Sequence, residues 1–366
     1  MKIIAFVQDA YGGFGGIAQY NRDLMAALSS CNGVKEVHVI QALAPQQVDP
    51  PSPDKVQLNN AQSSSKFIYV CKSLISALKH RGVDLIICGH INLLPLAITA
   101  KLLTGAPILL ETYGIEVWRK SSVLKKLLLK MYVDYFTYIS HITKERFLNW
   151  ACIDKCKSYY LPNGIDLRKY SPGENDEEIC DRYNLHGKKS IITVGRLSAQ
   201  ERYKGFDEVL NILKQLISEV GDVIYFIVGE GTDKSRLQNK VAQLGLGNCV
   251  VFTGKISDTE KIKLLRAADA YVMPSYGEGF GFVILESLAC GTPVVASKID
   301  GSREAVLNGK IGTLVDPHNP QEIISGIIET LRQNKSHEEI APTFYSIDNF
   351  QVRVEAMIKD VAQNGQ

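Results

Sequence analysis

Twice along this chain an apolar strand runs into a glycine-bearing loop and then into a helix. That repeat constrains the fold more than any other feature. The first instance is a strand over 2–7, the loop Tyr11-Gly12-Gly13-Phe14-Gly15-Gly16 and a helix over 17–28. The second is a strand over 190–194, a loop over 195–205 and a helix over 206–220. Strand, loop, helix is how a doubly wound α/β domain begins, with the loop at the carboxyl edge where ligands bind. A chain of 366 residues is longer than one core usually serves. Two similar α/β domains are therefore expected, with parallel sheets facing across a cleft.

The remaining pattern fits that expectation. Strands are expected over 37–41, 84–88, 107–111 and 135–139, with helices over 66–80, 93–103 and 122–132 between them. Such alternation argues for parallel sheets covered on both faces. Residues 43–65, rich in Pro and Ser, read as a long loop. The acidic, aperiodic stretch 171–178 reads as the linker. This gives a first domain over 1–170 and a second over 171–345. The last stretch, 346–366, is helical by pattern and returns to the first domain. In the second half, strands are expected over 223–228, 249–253, 271–273, 292–296 and 313–315. Helices are expected there over 234–244, 259–268, 282–290 and 321–334.

Composition excludes several classes. A net charge of +2 offers no general argument for nucleic acid. The apolar start, Met1 to Val7, is too short for a signal peptide or a membrane span. The eight cysteines are scattered, mostly in apolar runs, and read as reduced packing residues of a cytoplasmic protein. Cys152 and Cys156, four apart on an expected helix, have no matching Cys/His pair, so no metal site is expected.

Residues Met273 to Pro293 carry the chemistry. A strand end leads through Pro274-Ser275 into a loop with Gly277, Gly279 and Gly281, then into a helix apolar on nearly every side. Such a helix is buried, yet Glu286 sits in its middle and Glu278 in the loop before it. The glycine-rich start offers backbone N–H groups and a positive dipole end to an anion. A buried carboxylate needs donors; sugar hydroxyls would serve, and so would a structural Lys or Arg. Arg196 and Lys204, in the loop after the first strand of the second half, suit a diphosphate: a planar fork and a point charge. No Asp-x-Asp pair occurs. The charge of a departing diphosphate would then fall to these cations and helix amides rather than to Mg²⁺.

Other features stay open. Gly13-x-Gly15-x-x-Ala18 nearly matches a dinucleotide fingerprint, but the second strand ends in Gln41 rather than an acid, which argues against NAD. The loop permits either a close approach to substrate or plain tight packing. Tyr113 and Glu116 stand at another strand end. Residues 124–131 form a basic amphipathic helix that suits either an anionic lipid surface or a half-buried position.

These residues, in this order, resemble the retaining glycosyltransferases of family 4, with the two-domain GT-B fold of paired Rossmann-like domains. The pieces are the GGxGG loop, Tyr113-Gly114-Ile115-Glu116, Pro162-Asn163-Gly164-Ile165-Asp166, and Gly195-Arg196-Leu197 with Lys204-Gly205. Gly229-Glu230-Gly231, Phe252-x-Gly254, Glu278-Gly279-Phe280-Gly281 through Glu286, Gly291-Thr292-Pro293 and Glu304 complete them. The resemblance implies that Arg196 and Lys204 hold the donor diphosphate and that Gly281, Phe282 and Val283 offer it backbone N–H groups. Glu278, in its loop with Gly279 and Phe280, would contact the donor sugar, and Glu286 the ribose. The backbone at Gly254 and Ile256 would meet the base, and Gly15 and Gly16 would approach the phosphate or acceptor. The family often has His where Tyr113 stands, and a phenol is a poorer base near neutral pH.

The function so implied is retaining transfer of a hexose, without metal or other cofactor, from a nucleoside diphosphate sugar. A UDP-hexose is the donor expected. The acceptor would be a hydroxyl of a saccharide or lipid-linked saccharide, in polysaccharide or glycolipid assembly, with a place at the inner face of the membrane open. The rival is a non-catalytic sugar-nucleotide-binding protein of the same fold.

Overall fold

The computed structural model describes residues 1–42, 51–60, 75, 82–153, 155–333 and 343–364. The chain divides into two compact units: Met1–Gly164 with Ile347–Gln366, and Ile165–Ser346.

Unit 1 is built on seven parallel strands: β1 Lys2–Val7, β2 Glu36–Gln41, β3 Val56–Asn60, β4 Leu85–Cys88, β5 Ile108–Thr112, β6 Val133–Tyr138 and β7 Lys157–Tyr160. Their spatial order is β3-β2-β1-β4-β5-β6-β7. In register, Ile4 stands between His38 and Ile86. The central strands are continuous apolar runs because helices cover both faces, so alternation would serve no purpose. Phe6, Ile86, Leu110, Phe136, Phe147 and Trp150 share one core. The helix Ile347–Asn364 belongs to this unit: Phe350 is fully buried and meets the Tyr20 ring edge-on at 5.6 Å.

Unit 2 repeats the plan with six strands: β8 Lys189–Val194, β9 Val223–Val228, β10 Val250–Gly254, β11 Ala270–Met273, β12 Val294–Ser297 and β13 Thr313–Val315. Their order, β10-β9-β8-β11-β12-β13, reverses direction between β8 and β11. That reversal is a topological switch point, and the loops leaving β8 and β11 flank its crevice. The helix Phe206–Val220 shows why the sequence folds this way: Val209, Leu210, Leu213 and Leu216 fall on one stripe and are buried in the unit's core.

Three expectations are corrected. Residues 43–65 are not all loop, since Val56–Asn60 adds edge strand β3 beside β2, with Val37 paired to Val56. Its sequence, VQLNN, has too few apolar residues to announce a strand. Cys152 and Cys156 do not share a helix. The helix His141–Ala151 ends where Cys152 takes a left-handed φ of 55°, and Cys156 precedes β7. The stretch 171–178 does not join the units; it lies inside unit 2, where Asp176 caps the helix Glu177–Arg182 by accepting from the Ile179 N–H. The helix expected over 66–80 falls outside the described residues, Ile75 excepted.

Candidate functional site

The crevice of unit 2 collects Arg196, Lys204 and Glu278. Leaving β8, the chain is laced to the loop after β9 by backbone contacts. The Leu197 N–H donates to the Glu230 carbonyl at 3.0 Å, and the Asp233 N–H to the Leu197 carbonyl at 2.9 Å. Gly229 is required there: its φ is 140°, and a Cβ would come within 2.0 Å of the Gly195 carbonyl oxygen. Held at this crossing, Arg196 projects outward, its side chain 65% exposed, with a nitrogen 3.1 Å from Glu201. A short 3₁₀ turn, Arg202–Lys204, then brings Lys204 back over Gly195, where a Cβ would meet the Lys204 stem at 3.2 Å.

Lys204 Nζ lies 2.9 Å from Glu278 and 3.6 Å from Glu201. Burial alone would lower the ammonium pKa, but the Glu278 charge, with Tyr203 and Glu201, outweighs it and raises it. Arg196, Glu201, Lys204 and Glu278 thus form one chain of alternating charge. An incoming polyanion could take the place of either carboxylate.

The Glu278 loop is shaped from behind by residues after β12. The Glu278 N–H donates to Asp300 Oδ2 at 2.9 Å, and the Gly301 N–H to the Glu278 carbonyl at 2.9 Å. Asp300 is fully buried and also accepts from the Ser275 and Ser302 hydroxyls. Burial outweighs these donors and pushes its carboxyl up to about 6. Gly301 packs so closely on the loop that a Cβ would sit 1.8 Å from the Gly279 carbonyl oxygen. Sequence reasoning missed Ser275, Asp300 and Gly301 as a group. The available signal was an Asp-Gly pair just past a strand of the same sheet.

The loop feeds the helix Phe282–Ala289. Its N-cap, Gly281, has φ 101°, and no side chain caps it. The amide end at Phe282 and Val283 therefore follows directly on the Glu278-Gly279-Phe280-Gly281 segment. Phe280 itself is fully buried and meets Tyr345 edge-on at 5.0 Å. Glu286 has a lysine partner: Oε1 accepts from Lys261 Nζ and the Tyr170 hydroxyl, both at 2.8 Å. Its other oxygen, Oε2, is buried without a hydrogen-bond partner, so an accepting position is still open. Gly254 ends β10 with φ 74°, and its carbonyl accepts from the Gly229 N–H at 3.0 Å. Ile256, two residues on, is half-buried.

Gly15, Gly16 and Tyr113 belong to unit 1. Gly15, φ 99°, is the N-cap of the helix Gly16–Ser30. Arg22 ties the preceding loop down by donating to the Ala10 and Gly13 carbonyls at 2.6 and 3.0 Å. Tyr113 is buried within unit 1. Its hydroxyl points inward, donating to Glu111 and lying 2.9 Å from Asn21 Oδ1, while its ring meets Tyr20 edge-on at 5.3 Å. Glu116 is also turned to its own loop, accepting from the Tyr113 and Gly114 N–H groups.

Glu111 is wholly buried, and its Oε1 has no partner. Burial pushes its carboxyl up to about 7, against the opposing pull of the Tyr113 hydroxyl. Unfolded, the group titrates near 4.5. Between those values the folded state holds the extra proton, so stability from this group is full at low pH and falls as pH rises through 7. The total is up to about 3 kcal/mol. Glu111→Gln should flatten this decline and melt higher than the parent at pH 8 but not at pH 5. Thermal melts across that range check it, and an unchanged slope would contradict the assignment.

Comparison with known proteins decides the family. Residues 14–169 match the family model described as Glycosyltransferase Family 4, and residues 175–345 the model described as Glycosyl transferases group 1. A GDP-mannose-dependent alpha-(1-6)-phosphatidylinositol monomannoside mannosyltransferase of Mycolicibacterium smegmatis is 31% identical over 275 residues, covering 71% of each chain. The chain belongs to glycosyltransferase family 4. A D-inositol 3-phosphate glycosyltransferase of Corynebacterium jeikeium is 30% identical over 56% of this glycosyltransferase and 51% of the relative. Among solved structures, Anabaena Alr3699/HepE in complex with UDP and glucose superposes with TM-score 0.76 at 21% identity, covering 98% and 100% of the two chains. Sucrose-phosphate synthase from Thermosynechococcus elongatus gives 0.76 at 20% identity, covering 99% of each. The two parallel sheets, of seven and six strands, are those of the GT-B fold.

Proposed function

We propose that this glycosyltransferase moves a hexose from a nucleoside diphosphate sugar to a hydroxyl of a saccharide or lipid-linked saccharide, with retention at the anomeric carbon. The observation that carries the reading is the charge chain Arg196–Glu201–Lys204–Glu278 at the switch point, beside an uncapped helix N-terminus. The donor diphosphate takes over Arg196 and Lys204 and receives N–H groups from Gly281, Phe282 and Val283. Glu278, released from Lys204, accepts from the donor sugar, as Glu286 Oε2 accepts from a ribose hydroxyl. The base lies against the backbone at Gly254 and Ile256. As the glycosidic bond breaks, negative charge on the leaving diphosphate is met by fixed cations and amides, so no divalent ion is needed. The acceptor attacks from the same face, and a diphosphate oxygen takes its proton. In this reading unit 2, Ile165–Ser346, binds the donor and unit 1, with Gly15 and Gly16, the acceptor.

The nucleotide has two readings. Uridine is the expectation from sequence; guanosine is favoured by the relative named for its dependence on GDP-mannose. A thermal-shift comparison of UDP-glucose, UDP-galactose and GDP-mannose separates them, because a ligand at 100 times its Kd stabilises the native state by about 2.7 kcal/mol. One of the three should raise the melting temperature, and hydrolysis or transfer should release its nucleoside diphosphate in EDTA. Binding without turnover would favour the non-catalytic alternative. No shift with any nucleotide sugar rejects the reading.

A further inference from the structure

The helix Val123–Tyr132 leaves one apolar face in water. Leu129 is fully buried and Leu128 partly so against the unit 1 core. Val123, Leu124, Leu127 and Met131, in contrast, are 82%, 65%, 50% and 58% exposed. Their spacing places them along one side of the helix. The helix Leu94–Thr104 is tied to the end of this one through Lys101, which also pairs with Asp134. Lys101 donates to the Tyr132 carbonyl at 3.0 Å, and Lys125 donates to Asn92 Oδ1 at 3.2 Å. Next to Lys101, Leu102 and Leu103 are 69% and 48% exposed. An apolar row of this size on a soluble surface marks a contact.

Charge identifies what it contacts. Residues 119–132 carry Arg119, Lys120, Lys125, Lys126 and Lys130 and no acid. A second copy of the chain would bring the same five cations face to face. An anionic bilayer answers both features, acyl boundary for the leucines and phosphates for the lysines. We propose that this face docks the protein on an anionic lipid surface. The proposal does not depend on the donor or the reaction, although a lipid-linked acceptor would be met there.

The test is co-sedimentation of the full chain with vesicles of phosphatidylglycerol and phosphatidylcholine, against phosphatidylcholine alone. Binding is expected only with the anionic lipid and is weakened at about 0.5 M salt, where charges are screened. Each cation near the surface contributes about 1 kcal/mol, a factor of about five, so Lys125→Gln with Lys126→Gln and Lys130→Gln should weaken binding ~100-fold. Leu124→Ser with Leu127→Ser should weaken it at least ~10-fold through lost insertion. Lys125 and Lys126 are half-buried and the other substituted positions exposed, so an unchanged melting temperature is the check that both variants keep the fold. Absence of binding to the anionic vesicles, or full binding by the leucine variant, overturns the proposal. So does a concentration-dependent dimer that the leucine variant abolishes. None of these outcomes alters the nucleotide-sugar thermal shift, so the two readings fail separately.

Discussion

Lys204→Ala is expected to lower kcat about a thousandfold, the scale of removing a pre-placed charge from a developing anion. The same change should leave the protein folded. Lys204 contributes to unit 2 mainly through Glu278 and Glu201, whose side chains are 20% and 18% exposed and can rehydrate when the ammonium is gone. The loss in stability should be about 1 kcal/mol, as for partly solvated pairs. Lys204→Arg keeps the charge but replaces a point donor with a planar fork, and should recover only part of the rate. Glu278→Gln is the informative companion. It frees Lys204 from its partner yet removes the acceptor proposed for the sugar, so it should bind nucleoside diphosphate at least as well as the parent while transferring slowly. Single-turnover rates and diphosphate affinity, measured on the same samples, check all three. Near-normal kcat in Lys204→Ala, with the fold intact, would remove the central role given to the charge chain.

Much of this was readable before any coordinates. The restart of strand, glycine loop and helix at 190–220 gave the second sheet because continuous apolar runs such as VIYFIV have no other home than a covered parallel sheet. Strand β3 was hidden because an edge strand buries little and VQLNN offers only Val56 and Leu58 as apolar residues, within a Pro- and Ser-rich stretch. Lys204, Glu278 and Glu286 stood out as charges in glycine-rich or apolar stretches, and Arg196 as a cation at a strand end. Their partners did not. Glu201 looks like a surface acid, and Lys261 and Tyr170 reach Glu286 from 25 and 116 residues away. The partners of Tyr113 were hidden for the same reason. Its loop position pointed outward, but Glu111 and Asn21 offered its hydroxyl two acceptors inside unit 1. Side-chain partners separated by long loops leave no periodic trace, so packing has to reveal them.

Gly301→Ala tests whether the site depends on its rear wall as much as on its charges. A methyl group there would lie 1.8 Å from the Gly279 oxygen and 2.3 Å from its carbonyl carbon. Both are backbone atoms, so no rotamer change relieves the clash and the Glu278–Gly281 segment must move. Movement also breaks the 2.9 Å bond from the Gly301 N–H to the Glu278 carbonyl and strains that from the Glu278 N–H to Asp300. Glu278 and the amide end of the Phe282 helix lie on the displaced segment, while Arg196 and Lys204 stay with the loop after β8. A displacement of about 1 Å at a positioned group lowers turnover about 100-fold, and kcat/KM should fall by that order. The β-sheet core of unit 2 is untouched, so the protein should still melt cooperatively, a few degrees lower at most. Gly247→Ala is the control, because a Cβ there meets nothing within 4 Å. Full activity in Gly301→Ala would mean that the loop is not held in this geometry during turnover. The charge chain would then have to be organised by the donor itself rather than by the fold.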